Sequence, residues 1–451
     1  MKKPKISIAG CGFVGLVNAA AFASRGYEVI ATTINKEEAD IINQGKTPFY
    51  EKGLDNLLAK AIKLNNLKVI EDNQQAVQNS DITFISVGTP MNEDKSIDLS
   101  YIEKVSEEIG NGLADKEEYH LIVDRSTIVP GTTRNIIGKS IEKMSGKNPG
   151  TDFGLCMQPE FLAEGRAVED TFFPDRIIIG EFDEKSGDIL YELYEDFYKK
   201  HLENCPILRM TLESAELVKY GNNCLLATKV SFANEFANIA ELVENVDINQ
   251  VMEGVGLDYR LNSKFLRAGA GFGGSCFPKD VNAIKSWAEN DGYYPKILNA
   301  VLEINKDQAY HMIEIANELI DSFNNKTITI LGLSFKPDTS DMREAPSVKI
   351  INKLLTEGVN KIKTYDPKAF HEAREIFEDK IAYCESIEEA LKGSDCCFLV
   401  TEWDEFKNLK PSDFQKNMKD PNLIDGRRIY NFNEFSKNLN FRAIGRKALK
   451  K

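Results

Sequence analysis

The chain has 451 residues, 42% of them hydrophobic and 28% charged, with a formal net charge of −14. That length suggests about two to four domains, and the absence of a long apolar run argues against a membrane span. The acidic balance disfavours nucleic acid and anionic membranes as partners, so an anionic ligand would need a local cluster of cations.

Residues 5–9 read as a short strand, followed by Gly10-Cys-Gly12-Phe13-Val14-Gly15 and a helix to residue 25, with Gly26 as its stop. These glycines also interrupt the apolar stretch behind the basic start, which excludes a signal peptide. A second strand is expected at 28–34, and others at 82–87, 121–124, 155–158 and 176–179. Amphipathic helices at 55–64 and 102–113 alternate with them, the pattern of a parallel, doubly wound sheet. Residues 212–247 carry a single glycine, Gly221, and no proline, and they predict one long buried helix, a spine and dimer contact. A further helix covers about 297–323. Strands then restart at 327–331, 362–365, 397–400 and 422–424, a second and smaller Rossmann-like domain. The expected class is therefore α/β, two Rossmann-like doubly wound domains joined by a long central helix and a helical middle domain. The divisions fall at 1–205, 206–322 and 323–451.

Gly10-x-Gly12-x-x-Gly15 follows a strand and opens a helix. This is the context in which such glycines allow a tight turn, close approach of backbone to a pyrophosphate, and close helix–sheet packing. The helix N-terminus then offers unpaired N–H groups to the phosphates. An acid is expected about 20 residues on, to hold the adenine ribose. Thr33 stands there instead, and Lys36 follows, so NAD is the expected cofactor and NADP the alternative.

Eight cysteines without CxxC spacing, and four scattered histidines, indicate reduced thiols in a cytoplasmic protein and no metal site. Cys276 differs from the rest. It ends the glycine-rich run Gly269-Ala-Gly-Phe-Gly-Gly-Ser, and Lys279 and Asp280 follow it. A helix starting near Cys276 would put Asp280 on the same face, and the helix N-terminus with Lys279 would favour a thiolate nucleophile. Lys219 and Asn223 are spaced i,i+4 on the long helix, a cation and an amide suited to a developing oxyanion.

With these residues the chain resembles the UDP-glucose/GDP-mannose dehydrogenase family from Ile6 to about Arg446. Ordered matches include Val87-Gly-Thr-Pro90, Ser126-Thr-Ile-Val-Pro-Gly131, Gln158-Pro-Glu160-Phe-Leu-Ala-Glu164-Gly165 and Ala215-Glu-Leu-Val-Lys219. They continue with Phe272-Gly-Gly-Ser-Cys276-Phe-Pro-Lys-Asp280, Ser334-Phe-Lys336-Pro-Asp-Thr339, Tyr365-Asp-Pro-Lys368 and Asp425-Gly-Arg-Arg428. The resemblance implies a four-electron oxidation of a nucleotide sugar at C6, with two NAD per turnover and a thioester on Cys276. UDP-glucose is the expected substrate; GDP-mannose and UDP-N-acetylhexosamines are alternatives. It implies that Lys219 and Asn223 stabilise the C6 oxygen, Asp280 acts on water or the alcohol, Thr127 holds that water, and Glu160 is the base of hydrolysis. Sugar and diphosphate contacts are implied for Glu160, Phe161, Leu162, Glu164, Lys219, Asn223, Tyr259, Phe265, Arg267, Phe272, Gly273 and Lys336, with Arg260 reaching in from a neighbouring subunit of a homodimer or larger oligomer. Cofactor contacts are implied for Val14, Thr89, Thr127, Glu164, Lys279 and Arg343, beside the Gly10–Gly15 turn, Thr33 and Lys36. Two other readings remain: a single-step β-hydroxyacid dehydrogenase, which needs no Cys276, and a non-catalytic nucleotide-binding protein, which needs none of these side chains.

Overall fold

A computed structural model describes residues 3–447. The chain divides into two compact units, Met1–Asn222 with Asn282–Trp287, and Asn223–Val281 with Ala288–Lys451.

The first unit is built on eight strands: β1 (Ile6–Ala9), β2 (Val29–Thr32), β3 (Leu67–Ile70), β4 (Ile82–Ile85), β5 (His120–Asp124), β6 (Phe153–Met157), β7 (Ile177–Glu181) and β8 (Ile207–Thr211). Their order is β3-β2-β1-β4-β5-β6-β7-β8. The first six follow the doubly wound dinucleotide-binding order, whose switch point lies between β1 and β4. Central strands covered on both faces are largely apolar, and β1 and β4 are buried at every residue, their two hydroxyls, Ser7 and Thr83, bonding each other at 2.6 Å. Aromatic side chains fill one layer, where Phe22, Tyr27, Phe84 and Phe197 meet edge-on or tilted.

The expectation of an entirely parallel sheet is corrected at one point, because β6 and β7 pair antiparallel. A parallel partner requires a crossover that returns the chain to the starting edge of the sheet. The link from β6 to β7 holds only a loop and the short helix Ala167–Phe172, so the chain turns back where it emerged. The Glu160–Gly165 segment lies in that link.

The second unit contains a six-stranded, all-parallel sheet: β9 (Thr327–Leu331), β10 (Lys361–Tyr365), β11 (Ala382–Tyr383), β12 (Cys396–Leu399), β13 (Asn422–Asp425) and β14 (Asn440–Ala443), in the order β11-β10-β9-β12-β13-β14. This repeats the doubly wound pattern, with the switch point between β9 and β12.

The long helix is Leu212–Ala240, seven residues shorter than expected from the sequence. A new helix, Ile248–Gly256, starts after Asp247, whose side chain accepts from Asn249 N at 3.0 Å. Asn245 has a φ of +64° between them, a left-handed turn that asparagine tolerates. The helix Lys296–Asn317, expected over about 297–323, also ends earlier than the apolar pattern indicated. Among the described residues no helix is long and apolar enough to cross a membrane.

Candidate functional site

The Gly10–Gly15 turn sits at the C-terminal edge of β1. Gly10 has a φ of +104°, and a Cβ there would lie 2.6 Å from Ser86 O, at the end of β4. A Cβ on Gly15 would lie 1.8 Å from Gly10 O, so the helix Phe13–Ser24 packs directly on the turn. Around Gly12, by contrast, a Cβ would meet nothing within 4 Å. Two glycines therefore serve packing, while the third keeps open the approach a pyrophosphate needs, at a helix N-terminus that carries no side-chain cap. The residues fit a dinucleotide. Phe13 rests on Phe49 with ring centroids 5.5 Å apart, and Val14 is half-buried beside it. Thr89 donates to the carbonyl of Thr127 at 2.8 Å, so two nominated residues from separate loops are adjacent. Lys36 is exposed at the start of the Lys36–Asn43 helix, and Thr33 is buried at the end of β2.

Glu160 and Lys219 are the second feature of this unit. Lys219 is 4% exposed and Glu160 8%. The ammonium donates to Glu160 Oε1 at 2.6 Å and to the carbonyl of Glu160 at 2.8 Å, while Leu162 N donates to Oε2 at 2.7 Å. Burial pushes this carboxyl up, but the Lys219 charge and these hydrogen bonds outweigh it and hold it below its ordinary value. Phe161 stacks under the Arg176 guanidinium, 3.8 Å from its ring centre, and Leu162 and Glu164 are half-buried in the same loop. The loop is held by Glu51, a residue that sequence reasoning gave no role. Its two oxygens accept from Gly165 N at 2.7 Å and Ala167 N at 2.9 Å. The partners lie 114 and 116 positions away, and nothing local marks Glu51 as an anchor. Glu216, three residues before Lys219, holds another loop in the same way, accepting from Gly131 N and Thr133 N.

In the second unit Cys276 is exposed, whereas the other seven cysteines are buried. Burial pushes those thiols up, to about 12 for Cys11 and Cys224. Cys276 immediately precedes the helix Phe277–Asn290, and Asp280 N donates to its carbonyl at 2.8 Å, closing the first turn. Asp280 therefore lies one turn beyond the sulfur, as the spacing indicated. Its carboxylate is 1% exposed and takes Lys279 Nζ at 2.6 Å on one oxygen and Asn223 Nδ2 at 2.6 Å on the other. Lys279, expected close to the thiol, thus also makes a charge-assisted bond to the carboxylate next to it in sequence. Ser275 Oγ lies within hydrogen-bond reach of Cys276 Sγ, at 3.6 Å.

The glycine run before Cys276 is fixed by side chains distant in sequence. Asn234 accepts from Gly269 N, and Asn305 both accepts from Phe272 N and donates to Phe272 O. Arg427 donates to Val400 O, Gly271 O and Phe335 O. A Cβ on Gly273 would lie 2.6 Å from Glu344 O. Phe277 joins Phe265 and Phe272, with ring centroids 6.1 and 6.0 Å away. Phe265 is exposed with a φ of +67°, and Tyr259 and Arg267 are exposed nearby in sequence. Arg260 makes a bidentate pair with its neighbour Asp258, and Arg343 with Asp341. Lys336 is half-buried after β9, its Nζ 5.5 Å from the Phe335 ring centre. No cluster of metal-ligating side chains occurs among the described residues.

Models of one family match three stretches of the chain: the NAD binding domain of the UDP-glucose/GDP-mannose dehydrogenase family at residues 4–198, its central domain at 213–307 and its UDP binding domain at 329–432. A UDP-glucose 6-dehydrogenase of Bacillus subtilis is 37% identical over 99% of this chain and 94% of its own length. A GDP-mannose 6-dehydrogenase of Pseudomonas aeruginosa is 40% identical over 85% of this chain and 87% of its own. The solved structure of a UDP-glucose dehydrogenase from Pyrobaculum islandicum superposes with a TM-score of 0.90 at 34% identity, covering 99% of this chain and 98% of that one. An exposed thiol after a glycine run, a dinucleotide turn and a buried Lys–Glu pair thus occur in a chain that belongs to the UDP-glucose/GDP-mannose dehydrogenase family, NAD-dependent oxidoreductases of nucleotide sugars.

Proposed function

We propose that this enzyme oxidises the C6 alcohol of UDP-glucose to the carboxylate through a thioester on Cys276. The observation that carries the reading is the setting of Cys276: an exposed thiol at a helix start, one turn from a buried carboxylate fixed by Lys279 and Asn223. The Gly10–Gly15 turn, Val14, Thr89, Thr127, Glu164, Lys279 and Arg343 would hold NAD, which when bound would supply a hydride acceptor that no side chain can.

The protein's own part is as follows. Asp280, or water that it and Thr127 hold, removes the proton of the C6 hydroxyl. Once the carbon is an aldehyde, the Cys276 sulfur adds to it and the carbonyl oxygen becomes an alkoxide, which Lys219 and Asn223 stabilise; the two sit one helical turn apart. Loss of a second hydride leaves a thioester. Water, activated by Glu160, then attacks the carbonyl carbon, the C–S bond breaks, and the thiol and the carboxylate are released. A base must be ionised to act, and the Lys219 contact that keeps Glu160 ionised supports the role. Phe161, Leu162, Tyr259, Phe265, Phe272 and Gly273 would line the sugar and uracil, with Arg267, Lys336 and a partner-derived Arg260 offsetting the diphosphate.

Domains at 1–205, 206–322 and 323–451 fit this division of labour. A homodimer is supported by the exposed Phe232, Phe236 and Ile239, spaced along one face of the Leu212–Ala240 helix. A cytoplasmic setting is supported by eight free thiols. GDP-mannose is the second reading, favoured by a relative of 40% identity; nearly complete coverage of two UDP-glucose enzymes favours UDP-glucose.

The test is NADH yield from limiting nucleotide sugar, with and without Cys276→Ser. Two NADH per UDP-glucose are expected from the wild type. The serine variant should form no acid while binding NAD normally. Acid formation at the wild-type rate in that variant would refute the thioester, and NADH from GDP-mannose alone would refute the substrate.

A further inference from the structure

β2 runs beside β1, and Gly10 N donates to Thr32 O at 3.1 Å, so the residue after Thr32 flanks the dinucleotide turn. That residue is Thr33, 9% exposed and uncharged. A ribose diol reaching this edge would find a hydroxyl where a carboxylate is expected. A carboxylate is nevertheless present, delivered from the next helix. Asn35 caps Lys36–Asn43, its Oδ1 accepting from Glu37 N at 3.0 Å and Glu38 N at 3.3 Å, while its own N–H donates to Thr33 Oγ1 at 3.3 Å. The cap folds the first helical turn back over the strand end, and the Thr33 hydroxyl donates to Glu38 Oε2 at 3.1 Å.

A second observation places the same charge at the glycine turn. Cys11, between Gly10 and Gly12, is pushed up first by burial and then by the charge of Glu38. Glu38 is half-buried, and its Oε1 has no protein partner among the described residues. Lys36 and Glu37, the other charges of that turn, are exposed.

We propose that Glu38 is the specificity-determining residue for the cofactor: its carboxylate accepts from the adenine-ribose hydroxyls of NAD and repels the 2′-phosphate of NADP, with Thr33 as the positioning residue. The acid has moved from the end of the strand to the first turn of the following helix, and the Thr33 hydroxyl directs it to the same edge. Lys36, the cation that follows Thr33 and suited a 2′-phosphate, has that acid two residues on.

Calorimetric titration of the full-length protein with NAD, NADP and 2′-deoxyadenosine NAD tests this without any nucleotide sugar, so it stands apart from the question of substrate. Hydrogen bonds to a charged acceptor predict a loss of NAD affinity of about ten- to a hundredfold in Glu38→Gln. The variant should also lose the wild-type preference for NAD over the deoxy analogue, and its NAD to NADP ratio should fall towards one. Thr33→Val, which keeps the charge but frees it, should weaken NAD less and in the same direction. Unchanged NAD-to-deoxy and NAD-to-NADP ratios in Glu38→Gln would overturn the proposal.

Discussion

Replacing Lys219 with Ala separates structure from chemistry. The wild-type pair is buried at both ends, 2.6 Å apart, and the ammonium also holds the Glu160 carbonyl. Removing one partner of a buried pair strands the other charge and costs about 3–5 kcal/mol. For a unit of this size, roughly 2–4 °C of melting temperature accompanies each kcal/mol, which gives a loss of about 6–20 °C at neutral pH. In the wild type Glu160 is held below its ordinary pKa, so its contribution is present above the unfolded value of 4.5 and lost as pH falls through the folded one. In Lys219→Ala the two largest opposing influences are gone, and burial, set against only the Leu162 N–H bond and the Arg125 charge, pushes the carboxyl up. The stability deficit is then largest at neutral pH and shrinks on acidification, as Glu160 takes up a proton. Turnover should fall about 100- to 1000-fold from the loss of an oxyanion donor. In Lys219→Ala/Glu160→Gln the stranded charge is gone, so stability should largely return while turnover does not. Scanning fluorimetry across the acid range, with NADH formation measured on the same samples, checks both halves. A single variant that melts within 2 °C of wild type at neutral pH (roughly the effect of 1 kcal/mol), or a deficit that does not shrink in acid, would refute the argument.

Two further outcomes follow from buried groups of the first unit. Glu51→Gln turns an amide donor towards Gly165 N or Ala167 N, a mismatch of about 1–3 kcal/mol that loosens the Glu160–Gly165 loop; the KM for nucleotide sugar should rise severalfold, and an unchanged KM would show that the loop does not need its anchor. His120 is fully buried, between Thr83 Oγ1 and Lys116 Nζ, and burial, then the Lys116 charge, lowers its pKa from 6.5 to about 3. The unfolded chain therefore binds one more proton than the folded one between these values, and stability falls as pH drops through that window by about 1.4 kcal/mol per unit. His120→Gln should flatten this limb of a melting-temperature profile by about one proton, and an unaltered slope would exclude His120 as its source.

How much of this was legible depended on the range of the interaction. The glycine turn, the β/α alternation and the Cys276–Asp280 spacing are local, and they stand where the sequence put them. The break after Ala240 is not local. Residues 241–247 contain neither glycine nor proline, and what stops the helix includes tertiary claims on its next residues: Glu241 accepts from Gly445 N and pairs with His311, and Asp247 pairs with Arg428 and Arg446. Spacing puts Lys279 near the thiol, but it does not show that Asp280, next to it in sequence, also takes the ammonium. Glu38 is not visible from sequence because the ribose acid is expected at a fixed distance from the turn, whereas the Asn35 cap carries it five residues past Thr33.

The motif acids of the second unit show why the family pattern spans so much of the chain when few residues do chemistry. Asp366 has one oxygen accepting from Leu333 N, Ser334 N and Trp403 Nε1, and the other from Lys368 N and Ala369 N. It thus ties the loop that carries Lys336 to the end of β10. Asp425 accepts from Arg427 N and Tyr430 N, and that turn presents the Arg427 guanidinium to Gly271 O and Phe335 O and the Gly426 carbonyl to Ala270 N. The loop before Cys276 is glycine-rich and has few side chains with which to hold itself. Its geometry is imposed instead by Asn234, Asn305 and Arg427, from two helices and a strand end. A thiol presented on such a loop can be positioned only if distant groups fix the backbone, so Tyr365-Asp-Pro-Lys368 and Asp425-Gly-Arg-Arg428 accompany Cys276 as scaffold, each buried acid satisfying N–H groups that no regular ladder reaches.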